Sequence, residues 1–388
     1  MSIKRIDQNI HISFSELSTI FALAFIIRVL NILLIDDFQS HSFVEDSPIY
    51  WNGARYWIDS GFFSNISHVG YVAETERVPL YHLFLIFFQI IFGNEILPLL
   101  LGQVFVDSVS CVLIAKLGCY LSRQIGIISG ICAAFSINLI LHSSLILSET
   151  LFLFLMAVFL LRCVNYIYRP SSCNVAIIGF ICGCAIMTRT VSLLIPLAIF
   201  IALPAISSYL GKGWKSGVLA GITLLFFSII PTTPIIYRNL TNFDTLQLTS
   251  QTGVHFLHWV VGITKSLDEG KSFDEVNREL KKKHSVKIES ASKQSAFIKS
   301  NQLSRIAREE LSEMSLYSIL YAWSYGAINN IMSPTVGLDP RIRKLNEHSF
   351  YQSPGHNILE KAIAFLSNNN PKYVILLSIG IIGSVYGG

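Results

Sequence analysis

Several charged residues stand where charge is costly. Arg28 and Asp107 lie inside apolar runs, Glu149, Arg189 and Arg238 lie at the ends of such runs, and Glu45, Asp46, Glu76 and Arg77 occupy the first polar stretch. Near a bilayer, each must be paired, wetted or used. Guanidinium forks bind phosphate oxygens, and a carboxylate can take the proton of an attacking hydroxyl. A set holding both types at a lipid boundary suits a substrate with a phosphate head and an apolar tail. The plainer use is mutual pairing that knits a bundle: Arg28 with Asp107, or Arg77 with Glu76 or Glu149. Glu149 also follows Ser148 at an expected helix start, where the dipole favours a carboxylate.

The elements that carry these residues are membrane helices. Of 388 residues 52% are hydrophobic and only 14% charged, against about a quarter charged in a soluble chain. The charges gather at the N-terminus and over 267–313 and 339–372. A net charge of +4, with no basic run interleaved with aromatics, sets nucleic acid aside. The seven cysteines fall in or beside apolar runs, without C-x-x-C, and read as small packing residues. His82, His142, His255 and His258 share no metal spacing.

A helix needs about 20 apolar residues to cross the hydrocarbon core. The runs 17–35, 96–121, 125–147, 151–168, 175–187, 191–210, 218–237 and 373–386 are the candidates, so the expected fold class is an all-α polytopic membrane protein of about eight transmembrane helices. Lys4 with Arg5, Arg123, Arg169, and Lys212 with Lys215 alternate correctly under the positive-inside rule only if 79–93 does not cross. That run is therefore expected to lie along the interface. Residues 36–95 then form a first external loop, rich in Tyr50, Trp51, Tyr56, Trp57, Phe62 and Phe63, with amphipathic helices in the headgroup layer. Three parts are expected: a membrane module over 1–253, an external region over 254–370 that is partly helical, and a C-terminal transmembrane helix over 371–388. Within the external region the aromatic run 316–332 reads as interfacial. Asn65-Ile66-Ser67 and Asn239-Leu240-Thr241 match the N-glycosylation pattern.

The order of motifs resembles a known family. Glu45-Asp46-Ser47-Pro48-Ile49-Tyr50-Trp51-Asn52-Gly53-Ala54 follows the first helix, then Glu76-Arg77-Val78-Pro79-Leu80-Tyr81, Leu147-Ser148-Glu149-Thr150-Leu151, Met187-Thr188-Arg189-Thr190 and Tyr237-Arg238-Asn239-Leu240. This looks like the membrane-embedded C-type glycosyltransferases, the GT-C superfamily, in the branch of protein O-mannosyltransferases and aminoarabinose transferases, over about 17–253. The resemblance implies a GT-C-like bundle, with Asp46 the catalytic base and Glu149 a second acidic position of the cavity. It also implies that Arg77 faces the lipid phosphate, with Arg189 and Arg238 as further basic positions. Relatives often carry Lys and two prolines where this chain has Arg77-Val78-Pro79. Glu45, Glu76 and Asn239 join the set as neighbours in the same motifs.

The implied activity is an inverting transfer of a hexose from a polyprenyl-phosphate carrier to an acceptor hydroxyl or amine on lipid, glycan or protein, on the extracytoplasmic side of a bacterial plasma membrane. Glu45, Asp46 and Glu149 could gather a divalent cation, but no spacing demands one, and no metal ligand is assigned. The competing readings are a transporter or flippase for an isoprenoid-linked head group, and a catalytically inactive relative. A transporter of that kind favours broken helices and internal repeats, neither of which is evident in the sequence.

Overall fold

The computed structural model describes residues 12–292, 294–332, 335–344, 358–375 and 377–378. Lys4, Arg5 and most of the expected C-terminal span lie outside these residues.

The described residues fall into two compact units. One is built from the chain up to Ala73 with Val78–Ile235, the other from Glu74–Arg77 with the chain from Ile236 onward. In the first unit the order is α1 (Phe14–Leu33), α2 (Phe38–Ser42), α3 (Ser47–Ser60), a hairpin of β1 (Ser64–Ser67) and β2 (Gly70–Ala73), α4 (Leu80–Phe92), α5 (Ile96–Gly118), α6 (Arg123–Phe135), α7 (Ile137–His142), α8 (Glu149–Tyr168), α9 (Ser172–Ile186), α10 (Ile195–Tyr209) and α11 (Trp214–Ile229). A helix α12 (Thr233–Phe243) follows. Among the described residues five helical segments are long and apolar enough to cross a membrane: Phe14–Leu33, Ile96–Gly118, Glu149–Tyr168, Thr190–Tyr209 and Trp214–Phe243. Leu80–Phe92, Arg123–Phe135 and Ser172–Ile186 are apolar but shorter.

Local chemistry accounts for the element ends. Ser13 and Glu16 close a capping box on α1, Pro48 enters α3 in its first turn, and Gly61 ends α3 in the left-handed region at φ 78. Between α9 and α11 the packing is close because α9 presents glycine. A Cβ on Gly179 would stand 2.4 Å from the Leu224 carbonyl oxygen, and one on Gly183 equally close to that of Ser228. Small residues allow such backbone approach where no hydrophobic force drives helices together.

Two expectations change here. The run 125–147 is not one helix: α6 stops at Phe135, Ser136 is extended, α7 covers only Ile137–His142, and a non-helical stretch leads to α8. The break is chemically supported. Arg28 of α1, fully buried, pairs with Asp107 of α5 and donates to the carbonyls of Ala133 (3.3 Å) and Ala134 (3.1 Å) at the end of α6. A cation at a helix C-terminus satisfies carbonyls that lipid cannot. Thus the pairing reading of Arg28 and Asp107 holds, and both are spent on the bundle. The first loop also contains the β1–β2 hairpin, in register Ser64↔Ala73 to Ser67↔Gly70, where only helices were expected.

The second unit holds α13 (Thr252–Val254), which runs through a π-helical stretch, His255–Val261, into α14 (Gly262–Glu269). Then come α15 (Phe273–Lys283), α16 (Ser285–Ser292), α17 (Ala296–Ser312), α18 (Leu316–Met332), α19 (Pro340–Arg343) and α20 (Ile358–Asn368). Leu257, Val261, Val276, Leu280, Leu303, Ile306 and Ala307 form its core. Ser272 and Ser295 cap α15 and α17, giving the charged stretch ordered helical starts.

Candidate functional site

Asp46 stands immediately before α3, the usual place for a capping carboxylate, yet it makes no capping bond. Its backbone is right-handed (φ −81, ψ −4) instead of the extended conformation a cap adopts. The turn before it explains this. Ser47, fully buried, donates from its N–H to the Val44 carbonyl (2.8 Å) and from Oγ to the same oxygen (2.6 Å), and Oγ accepts the Val44 N–H (3.0 Å). Glu45, exposed, is forced to φ 45 within that turn. A non-glycine residue there carries about 1–2 kcal/mol of strain, which the Ser47 bonds offset.

Glu149 opens α8 and forms an ion pair with Arg189, which sits between α9 and α10. Burial works to lower the Arg189 pKa, but the Glu149 carboxylate outweighs it, with smaller contributions from Tyr50 and Asp46, and holds the guanidinium above its ordinary value. Asp46, Tyr50, Glu149 and Arg189 therefore share one electrostatic neighbourhood in the first unit. Tyr50, one turn into α3, packs edge-on against Tyr81 of α4 (5.0 Å between centroids) and against His82 (5.4 Å).

The irregular stretch before Glu149 is held by hydrogen bonds with two other elements, α5 and α2. Gln103 of α5 donates to the carbonyls of Ser143 (3.2 Å) and Leu145 (2.8 Å), while its Oε1 accepts the Tyr81 hydroxyl (2.7 Å). Ile146 N–H donates to the Ser42 carbonyl (3.0 Å), and His41 lies 3.4 Å from the Ser144 hydroxyl. On the Arg189 side, the Leu80 N–H donates to the Met187 carbonyl (2.8 Å). Gln103, Ser47, Tyr50 and Tyr81 are the positioning residues that sequence reading missed. Their signal is weak, since a polar side chain in a helix declares nothing until its carbonyl partners are known.

The second unit holds the other expected residues. Glu74, buried, accepts the N–H groups of Glu76 (2.6 Å) and Arg77 (3.1 Å), so it shapes the segment on which Arg77 stands, while Glu76 is exposed. Ser250 ties Thr75 through its N–H (2.8 Å) and hydroxyl (3.1 Å). Arg238 donates from Nε (3.0 Å) and Nη2 (2.7 Å) to Asn239 Oδ1, and Asn239 Nδ2 donates to the carbonyls of Gln247 (2.6 Å) and Leu248 (3.2 Å). Asn239 is wholly buried, so its amide orients Arg238 and is closed to a glycosylating enzyme. Among the described residues no three His, Cys, Asp or Glu side chains gather as a metal site. The carboxylates of Glu45, Asp46 and Glu149 do not form such a set; Glu149 takes Arg189 instead.

No protein-family model matches the chain, and no curated protein does. The resemblance to GT-C enzymes rests on the motif order alone.

Proposed function

We propose that the chain is a membrane glycosyltransferase that moves a sugar from a polyprenyl-phosphate carrier to an acceptor hydroxyl or amine, with inversion, in a GT-C-like bundle. The observation that carries this reading is the shared electrostatic neighbourhood of Asp46, Glu149 and Arg189, in which a carboxylate standing just before α3 acts on an arginine paired to a second carboxylate. In the proposed reaction Asp46 takes the acceptor's proton as the nucleophile attacks the anomeric carbon, and the carrier phosphate leaves from the opposite face. Arg189 is offered to the negative charge on that phosphate, with Glu149 holding its guanidinium in place. In the second unit Arg77 and Arg238 are the arginines offered to a phosphate, with Glu76 beside the first and Asn239 aligning the second. Eight spans, interfacial first-loop helices and an extracytoplasmic site in a bacterial plasma membrane belong to this reading. The 13 residues of α4, about 20 Å long, fit its interfacial placement.

The test is the purified protein in lipid, incubated with labelled polyprenyl-phosphate sugars and a panel of acceptors. One donor should be consumed, and Asp46→Asn, which keeps the size of the side chain but loses the proton-accepting charge, should cut turnover by roughly 10²–10⁴-fold while donor affinity holds. Near-normal turnover in Asp46→Asn removes the assignment. A transporter is the second reading, favoured by the α6–α7 break, although Arg28 already occupies the freed carbonyls there. Movement of labelled lipid across the bilayer without loss of its sugar would establish it.

A further inference from the structure

Helix α18 has its polarity reversed relative to a helix in water. It carries no charged residue. Leu316, Tyr317, Leu320 and Trp323 are 71%, 78%, 55% and 72% exposed, and they share one face at intervals of one, four and seven residues. The opposite face, Ser318, Ala322 and Tyr325, is buried, and Ser318 Oγ donates to Asp268 Oδ1 of α14 at 2.5 Å. Ser318, Ala322 and Tyr325 therefore face protein, while Leu316, Leu320 and Trp323 face out.

We propose that the exposed face of α18 docks on the membrane surface, lying flat in the headgroup layer with Leu316, Leu320 and Trp323 sunk to the first acyl carbons. Three observations select a bilayer as the occupant. Its 17 residues span about 25 Å, short of the roughly 30 Å hydrocarbon core. The exposed rings of Tyr317 and Trp323 are of the kinds that collect at membrane–water interfaces, with Tyr317 stacked 6.2 Å from the half-buried Tyr321. Among the described residues the same chain also carries five segments long and apolar enough to cross a membrane. This inference is independent of the proposed reaction and survives its failure.

Fluorescence of the full-length protein in phosphatidylcholine nanodiscs tests it. Subtracting the emission of Trp323→Phe from that of the unaltered chain isolates Trp323, and replacing one exposed ring by another leaves the buried face untouched. Lipid brominated at acyl carbons 6 and 7 should quench the isolated signal about twofold more than lipid brominated at carbons 11 and 12, as expected for burial of about 5–10 Å. Stronger quenching by the deeper bromines would make α18 a spanning helix and overturn the proposal. A signal quenched by neither lipid overturns it as well, with aqueous iodide then separating water exposure from cover by a second copy.

Discussion

Asp46 belongs to a residue type that ordinarily turns back to cap its own helix, and the hydroxyl of Ser47 helps to prevent this by closing the turn to Val44. If the proposed reaction is right, Ser47→Ala should release Glu45 from the left-handed region and let Asp46 relax toward the capping conformation, where the N–H groups of α3 take its carboxylate. Turnover should fall by roughly 10- to 100-fold with donor KM nearly unchanged, because the base is displaced and the phosphate contacts are not. Loss of thermal stability at unaltered turnover would reduce Ser47 to a packing residue. At this scale sequence reading found the charged residues because charge in an apolar context is expensive, and it missed Ser47, Glu74 and Gln103. A serine or glutamine acquires its role from the carbonyls that folding brings to it, as Ser143 and Leu145 are brought to Gln103 across 40 and 42 residues of chain.

At the scale of elements, hydropathy located the long spans because length and apolarity are local properties. The break at Ser136 escaped it, since the apolar run continues on both sides and the donor that satisfies the freed carbonyls, Arg28, lies more than 100 residues away. The β1–β2 hairpin escaped for a different reason: its aromatic neighbours gave the whole loop the look of interfacial helices. The Arg28 arrangement makes an unusual prediction. Replacing both members of an ordinary buried ion pair by apolar residues is often neutral or stabilising. Here Arg28→Leu with Asp107→Leu removes the charges but also takes the Arg28 donor from the Ala134 carbonyl, while Ala133 keeps the Ser136 N–H (3.2 Å), at about 1–3 kcal/mol for a buried acceptor left unmatched. The double variant should therefore remain clearly less stable than the unaltered protein in thermal unfolding monitored in lipid. Full recovery would show that the ion pair, and not the capped break, is the reason Arg28 is buried.

At the scale of the molecule, the composition separated an apolar bundle from the charged stretch after 267, and the structure gives that stretch a core of its own. Its polar centre was not legible, because the side chains that meet there come from two separate stretches of chain, at 265 and at 283–284. Glu310 of α17, almost fully buried, pairs with Lys265 of α14 (2.5 Å) and with Lys283 at the end of α15 (2.7 Å), and the His284 ring beside it lies 2.6 Å away. Burial works to raise the Glu310 pKa, but the hydrogen bonds from Lys265, Lys283 and His284 outweigh it and bring the carboxyl down to about 2. A carboxylate whose folded pKa is depressed stabilises the fold fully above its unfolded value and loses that contribution as pH falls through the folded one. The contribution should therefore be intact at pH 7, decline below about 4.5 and be gone near 2, amounting at most to about 3 kcal/mol. Glu310→Gln leaves Lys265 and Lys283 without their shared counter-charge, so it should expose the backbone of α14, α15 and α17 to faster hydrogen exchange at pH 7. As pH falls toward 3 the gap between the two proteins should narrow, because the unfolded chain takes up a proton at Glu310 that the folded carboxylate, with its lowered pKa, does not yet accept. Hydrogen exchange of these three helices, compared between the two proteins at pH 7, 5 and 3, reads that narrowing directly. A difference that stays constant over this range would mean that Lys265, Lys283 and His284 do not stabilise the ionised carboxylate, and that Glu310 is held by packing alone.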